Sequence, residues 1–282
     1  MIKIIVDSTA DFTLEEAKEL GIKIVPLKTT VNNIEYKDRE TLEPEMFYEL
    51  LKDATEFPKT SQPSPAEWAH HYSDGVTNND QLIVLTLSSE ISGTSQSANL
   101  AKSIVGYDDI YVLDSRYATH GLRILTYKAL QLIKEGKDFE TVCNELEEYK
   151  SRITIMAIVD TLDYLIMGGR VSKLAGTVGS LLKLKPILIM TEGKGVIESL
   201  DKKRGTIKAT ERMIEIMKEN GGMDLNEPIF IGYTGEPTLL DKFENTLKDA
   251  FYFANAERGI VGPVIGSHLG PGAKLITYVR KK

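Results

Sequence analysis

The chain has a single cysteine and no long apolar segment, and these two features exclude several classes of protein. Its 282 residues contain one cysteine, Cys143, which excludes an internal disulfide and a zinc site built from several thiolates. No apolar run approaches the roughly 20 residues that a membrane-spanning helix needs. The N-terminus reads directly as a strand, without a signal-peptide pattern. We therefore expect a cytoplasmic protein that is not integral to a membrane.

Concentrated positive charge is missing as well. The formal net charge is −7, and no segment is a sustained run of Lys and Arg. We therefore expect no nucleic-acid partner and no strong attraction to an anionic membrane surface. A glycine-rich phosphate loop with its lysine is absent, and Ser92 does not lie in a Gly-x-Ser-x-Gly motif. Neither a nucleotide-binding loop nor a hydrolase nucleophile turn is predicted.

Short apolar runs alternate with helical patterns in the first half of the chain. The runs predict strands at 2–6, 22–27, 81–87, 110–113 and 153–159. The helical patterns lie near 13–20, 44–53, 65–73, 92–104, 117–135 and 138–150. This alternation predicts an α/β domain with a mostly parallel, Rossmann-like sheet. Residues near 27–40 depart from it and predict a small β-hairpin insert.

The second half predicts a further α/β or α+β domain. Its helices are expected at 161–167, 171–182, 206–219 and 237–249. Its strands are expected at 186–190, as a pair across 191–195, and at 229–233, 251–255 and 273–279. Because the length favours about two domains, we divide the chain into residues 1–155 and 156–282.

A hydroxyl-rich turn follows the third apolar run. The strand at 81–87 leads into the turn and helix start at 88–98, which contains five serines, one threonine and one glycine. Free backbone N–H groups and hydroxyls at a helix N-terminus suit a small anion, either a phosphate or a carboxylate. The candidate contacts here are Ser92, Gly93 and Thr94.

Polar residues also follow other predicted strands. Asp7-Ser8-Thr9, Ser88-Ser89 and Asp114-Ser115 stand where three strands end. The carboxyl ends of parallel strands form the crevice in which ligands bind, so the three groups together favour a site. Helix capping explains Asp7 and Asp114 taken singly.

Two further segments carry candidate residues. In the proline-rich stretch 56–65, helix capping explains Ser64 and leaves Thr60 and Ser61 as candidate ligand contacts. His268 lies in a stretch crowded with Gly and Pro, which predicts a loop, and an unperturbed histidine titrates near neutrality. We expect it to partner a carboxylate or relay a proton. The other three histidines are spaced for neither a metal site nor a catalytic triad, so no metal is predicted.

Seven segments together resemble the DegV family, in the family's order and over nearly the whole chain. They are Asp7–Asp11, Thr60–Ser64, Ser88–Ala98, Leu113–Ser115, Leu162–Val171, Lys185–Leu188 and His268–Ala273. Ile91 stands where leucine is common, and Lys274-Leu275 stand where small or apolar residues are commoner.

The resemblance implies a protein that holds one long-chain fatty acid, such as palmitate, between two α/β domains. By the resemblance, hydroxyls matching Thr60 and Ser92 would hold the carboxylate close to His268. Physical reasoning adds hydrogen-bond donors from Gly93 and Thr94, which would satisfy the carboxylate without a fixed cation. Bacterial members deliver the fatty acid to a separate kinase subunit, which makes acyl phosphate for lipid synthesis. By this resemblance Arg170 is a candidate contact with the kinase, and an exposed structural charge is the alternative.

Physical reasoning favours such a carrier, without a cofactor, over a catalyst. Transient contact with a membrane is compatible with this role. Two alternatives stay open: an enzyme for acyl or phosphoryl transfer or hydrolysis that uses Ser92 and His268, and a module that senses a small polar ligand. The second predicts a compact polar pocket, whereas the lipid interpretation predicts an apolar tunnel.

Overall fold

The computed structural model describes residues 1–170, 184–238 and 240–282. In chain order its elements are β1 (Ile2–Asp7), a 3₁₀ turn (Ser8–Ala10), α1 (Leu14–Leu20), β2 (Lys23–Val25), β3 (Lys28–Val31), β4 (Ile34–Lys37), α2 (Pro44–Lys52), β5 (Lys59–Ser61), α3 (Pro65–Thr77), β6 (Gln81–Thr86), α4 (Thr94–Val105), β7 (Ile110–Asp114), α5 (Thr119–Lys134), α6 (Phe139–Lys150), β8 (Ile153–Ile158), α7 (Asp163–Met167), β9 (Leu184–Thr191), β10 (Glu198–Arg204), α8 (Thr206–Glu219), β11 (Phe230–Tyr233), α9 (Leu240–Phe251), β12 (Glu257–Ile260), α10 (Pro263–Leu269) and β13 (Lys274–Val279). The helix predicted at 171–182 lies outside the described residues.

The first half forms the predicted parallel sheet, in the order β2-β1-β6-β7. Its helices begin and end at the expected signals. Thr13 and Glu16 form a capping box at the start of α1, and Gly21 ends that helix with a φ of 68°. Strand β6 is buried along almost its whole length, so packing fixes the position at which the hydroxyl-rich turn begins.

A second, small antiparallel sheet has the order β4-β3-β5. The predicted hairpin is its β3–β4 pair, joined through Asn32 and Asn33, both with positive φ. The proline-rich stretch adds β5, whose Thr60 pairs with Thr29 of β3. Thr60 therefore lies on a strand, with its backbone fixed by a neighbour.

The six-stranded sheet of the second half is mixed, in the order β10-β9-β8-β13-β11-β12. The strand pair predicted across 191–195 is the antiparallel β9–β10 pair. The arrangement confirms the predicted mixed α/β architecture. The division at residue 155, which falls within β8, stays a prediction.

One apolar core joins the parallel sheet to the six-stranded sheet. It contains Ile83 of β6, Leu122 and Leu125 of α5, Ile155 of β8 and Leu275 of β13, all buried. Helix α5 thus packs between the two sheets, and burial of this apolar surface fixes their relative position. Among the described helices, none is long and apolar enough to cross a membrane.

Two expectations for the second half are wrong. The apolar run 251–255 is not a strand, because α9 extends to Phe251 and Tyr252 then adopts a φ of 60°. The strand in this region is β12, Glu257–Ile260. His268 lies in helix α10 rather than in a loop, since Gly262 precedes the helix, Pro263 occupies its first position and Gly270 ends it.

Candidate functional site

A cavity of ≈ 280 Å³ lies between the sheets. Among the described residues that line it, fifteen are Ala, Val, Leu, Ile or Met, contributed largely by β8, β9, α10 and β13. The polar lining residues are Thr60, Ser61, Gln62, Ser92, Thr119, Arg170 and His268. The cavity therefore combines an extensive apolar wall with a small set of polar groups, as ligand sites commonly do.

Thr60 and His268 meet directly at this cavity. Thr60 Oγ1 lies 2.9 Å from His268 Nε2, within hydrogen-bond distance. Strand β5 positions the threonine, and the last turn of α10 positions the histidine. Two residues that the sequence placed in separate candidate segments thus form one polar pair.

The His268 ring is largely enclosed. Its Nδ1 is buried and has no hydrogen-bond partner among the described residues. A Cβ at Gly168 would lie 2.2 Å from that nitrogen, so any residue other than glycine at position 168 would displace the ring. Burial, assisted by the nearby Arg170 guanidinium, lowers the pKa of His268 to about 4. The imidazole is therefore neutral near pH 7.

The hydroxyl-rich turn brings Ser92, but not its neighbours, to the cavity. Ser92 Oγ lies 2.8 Å from Thr94 Oγ1 and accepts a hydrogen bond from Thr94 N at 3.2 Å. Gly93 lies beneath Gln62, where a Cβ would come within 2.2 Å of Gln62 Oε1. Gly93 and Thr94 do not line the cavity and shape the turn around Ser92 instead.

Arg170 also lines the cavity. It is half-buried, and its Nε donates to the carbonyl oxygen of Ile91 at 3.0 Å, in the turn that carries Ser92. A guanidinium thus stands in the wall of the cavity, although the sequence led us to expect a head-group site without a fixed cation. The same contact helps to hold the turn in place.

The polar strand ends do not form the site that their pattern suggested. Asp7 accepts hydrogen bonds from Thr9 and from the backbone of Leu87, Ser88 donates to Gly195 O at 2.7 Å, and Asp114 accepts from the backbone of Ser89 and Arg116. None of the three side chains lines the cavity. Asp7 has the expected capping role, because it caps the 3₁₀ turn through the backbone N–H of Thr9, whereas Ala118 and not Asp114 occupies the N-cap position of α5.

Sequence reasoning missed two polar residues of the cavity. They are Gln62, which lies within the segment Thr60–Ser64, and Thr119. Thr119 begins α5 with a φ of 45°, which is unusual for a β-branched residue. A backbone angle of this kind leaves no signal in the sequence.

The remaining residues of types that bind metals or act in catalysis are not arranged for either role in the described part of the chain. Among the described residues no group of three or more His, Cys, Asp and Glu side chains is arranged to hold a metal ion. Cys143 is buried in α6, and burial raises the pKa of its thiol to about 11, so it is not a thiolate near neutral pH. His120 is buried against Phe230, with ring centroids 5.2 Å apart.

The sequence matches that of a known family along its whole length. A family model described as "Uncharacterised protein, DegV family" matches residues 1–281. A DegV domain-containing protein of Caldanaerobacter subterraneus subsp. tengcongensis is 34% identical over 281 residues, which cover 99% of each chain. Protein DegV of Bacillus subtilis is 33% identical over 281 residues, again with 99% of each chain covered.

Solved structures are similar to this fold throughout. A fatty-acid-binding DegV family protein from Thermus thermophilus superposes with a TM-score of 0.88 at 30% identity over 99% of each chain. DegV of Bacillus subtilis, described as a fatty acid binding protein, gives 0.86 at 33% identity over 99% of each chain. A stearic acid-binding protein from Eubacterium ventriosum gives 0.89 at 25% identity over 100% of this chain and 99% of its own. The chain belongs to the DegV family.

Proposed function

We propose that this protein binds one long-chain fatty acid, such as palmitate, and presents it to a separate fatty acid kinase. The observation that carries the proposal is the cavity itself, whose wall is mostly apolar and whose polar groups include the Thr60–His268 pair and Ser92. Relatives of the same fold that are described as fatty-acid-binding proteins support the choice of ligand.

The apolar wall suits an acyl chain. Residues such as Ile155, Leu188, Ile189 and Met190 face the cavity from β8 and β9. Each methylene that leaves water there contributes about 0.8 kcal/mol, so a long chain contributes on the order of 10 kcal/mol before the loss of ligand freedom is subtracted. A small polar ligand would leave this surface without a partner, so the cavity favours the lipid over the polar-ligand alternative.

The polar groups suit a carboxylate, which needs hydrogen bonds once it leaves water. We place the ring hydrogen of the neutral His268 on Nε2, where it donates to Thr60 Oγ1. The Thr60 hydroxyl hydrogen is then free to point at a carboxylate oxygen. Ser92 supplies a second hydroxyl and Arg170 a nearby positive charge.

The same geometry supports binding over nucleophilic catalysis. His268 Nε2 contacts Thr60, whereas the Ser92 hydroxyl contacts Thr94. In the described part of the chain no carboxylate orients His268 from its other ring nitrogen. A serine nucleophile would need a base within hydrogen-bond reach and a group that orients that base. We propose a carrier without a cofactor, in which phosphoryl transfer takes place on the partner.

Arg170 is our candidate for contact with the kinase. Its Nε holds the backbone of Ile91, and the side chain is half-buried, so part of it reaches the surface beside the cavity. The partner would approach the polar end, because that is where the carboxylate to be phosphorylated would lie.

Extraction of purified protein followed by mass spectrometry tests the proposal. Near-stoichiometric long-chain fatty acid, exchangeable with added palmitate, is the expected result. Protein that is lipid-free and shows no palmitate binding in a titration would overturn it. Turnover of an acyl ester or acyl phosphate by the isolated protein, abolished in S92A, would instead establish the enzyme alternative.

A further inference from the structure

The carboxylate of Asp11 is buried where three segments around the cavity meet. Oδ1 accepts hydrogen bonds from Arg39 Nη2 and from the backbone N–H of Gly262, each at 3.0 Å. Oδ2 accepts from Thr119 Oγ1 at 2.6 Å. Asp11 itself does not line the cavity, so these contacts are not part of the proposed ligand site.

Two partners of Asp11 lie at the start of helices that carry a cavity residue, and the third lies in the loop that leaves the small sheet. Arg39 follows β4, in the small sheet whose β5 bears Thr60. Gly262 immediately precedes α10, the seven-residue helix that bears His268. Thr119 begins α5 and lines the cavity itself. Because α10 has only seven residues, we expect a shift at Gly262 to displace the whole helix.

The backbone around Asp11 is shaped to make these contacts. Asp11, Arg39 and Thr119 all have positive φ, at 61°, 65° and 45°, in the region that L residues rarely adopt. A Cβ at Gly262 would come within 2.6 Å of Asp11 Oδ1 and 3.0 Å of Arg39 Nη2. Three uncommon conformations and one obligatory glycine thus converge on a single carboxylate.

We propose that Asp11 is a positioning residue for the ligand site, whose carboxylate ties the small sheet to α10 and so holds Thr60 against His268. The consequence for fatty-acid binding rests on the function proposed above. The effect on the Thr60–His268 contact does not, because that contact exists in the protein alone.

Two charged side chains near Asp11, those of Asp38 and Arg123, do not duplicate the contacts of its carboxylate. Asp38 is buried on the other side of Arg39, with Oδ1 3.9 Å from Arg39 Nε, beyond hydrogen-bond distance. Arg123 contacts only the backbone oxygen of Asp11, through Nη1 at 3.1 Å. Loss of the Asp11 carboxylate charge would leave Gly262 and the Arg39 guanidinium without their charged acceptor.

The test is D11N, which keeps the size of the side chain and removes its charge. We expect the dissociation constant for palmitate to rise at least tenfold and the imidazole NMR signals of His268 in ligand-free protein to shift. Assignment of those signals comes from comparison with H268Q. The matched control is D80N, since Asp80 is also a buried carboxylate but bonds the N-terminal amine away from the cavity. D80N should leave both readouts unchanged.

A purely structural role for Asp11 gives a different result. D11N would then lower the melting temperature while folded protein kept the wild-type affinity and His268 signals, and this outcome would overturn the proposal. If D11N does not fold, R39Q, which removes the donor on the side of the small sheet and does not line the cavity, decides by the same two readouts. Wild-type protein that binds no palmitate would refute the proposed function alone, because the His268 signals of ligand-free variants still report on the positioning.

Discussion

Thr60 Oγ1 and His268 Nε2 lie 2.9 Å apart although their residues are 208 positions apart in the chain. One belongs to a three-residue strand of the small sheet and the other to a seven-residue helix beside the six-stranded sheet. Short elements have few contacts of their own, so this pair depends on the packing between the sheets. The polar end of the cavity is therefore a product of the tertiary fold.

Removal of either hydroxyl should weaken palmitate binding. T60V keeps the shape of the side chain and S92A removes only one oxygen, so the fold should survive. A hydrogen bond to a charged group is worth about 1.5–3 kcal/mol, which corresponds to roughly a 10- to 100-fold rise in the dissociation constant. Titration with radiolabelled palmitate measures it. T60S, which retains the hydroxyl, should bind nearly as well as the wild type. Equal affinity of T60V, S92A and wild type would place the carboxylate elsewhere.

His268 should remain neutral in ligand-free protein over the physiological pH range. Burial lowers its pKa to about 4 from an ordinary value of 6.5, so the folded protein takes up this proton only in acid. Its ring carbon and nitrogen chemical shifts, followed by NMR from pH 8 to pH 4, should stay at neutral values down to about pH 5. Below pH 6.5 the unfolded chain binds a proton that the folded chain does not, so the contribution of His268 to stability falls as the pH falls. A midpoint near 6.5 would contradict the enclosed position of the ring.

Replacement of Gly168 and of Gly169 by alanine should have different effects on palmitate affinity and on stability. In G168A the new methyl group meets the His268 ring, so palmitate affinity should fall at least tenfold. In G169A the methyl group meets no atom of the described residues within 4 Å, but the φ of 72° strains an L residue. That variant should lose about 1 kcal/mol of stability and keep its affinity. Binding titrations and urea unfolding of both proteins distinguish the two effects, and a G168A protein with wild-type affinity would refute the steric role assigned to Gly168.

Asp38 should make the stability of the protein depend on pH. Burial raises the pKa of this carboxyl to about 7, from 3.8. A group with a raised folded-state pKa contributes stability that is fully present below about pH 4 and is lost as the pH rises through about 7. D38N imitates the protonated form. Its free energy of unfolding relative to the wild type should therefore increase between pH 5 and pH 8, as measured by urea unfolding at constant salt. A difference that does not change with pH would contradict this assignment.

Much of the architecture follows from local sequence signals. The alternation of apolar runs and helical patterns predicts the parallel sheet, and caps such as Thr13 with Glu16 mark helix starts that the structure confirms. The hairpin at Asn32-Asn33 is equally local, because two residues with positive φ suffice to define it. Signals of this kind act within a few residues and can be read without knowledge of the fold.

Signals that depend on tertiary context were misread. The Gly and Pro residues around His268 indicated a loop, but they flank and begin a helix that packs under the site. The three polar strand ends taken together indicated a ligand site, but Asp7 and Asp114 accept backbone hydrogen bonds and do not line the cavity. Thr119 gave no signal, because its role depends on a φ of 45° and on a partner 108 positions away.

The crystal structure of the protein with palmitate tests the central claim most directly. We predict one palmitate in the cavity, with its carboxylate oxygens within about 3 Å of Thr60 Oγ1 and Ser92 Oγ and its chain along β8 and β9. A carboxylate bound away from both hydroxyls, or a cavity that stays empty at saturating palmitate, would contradict the account.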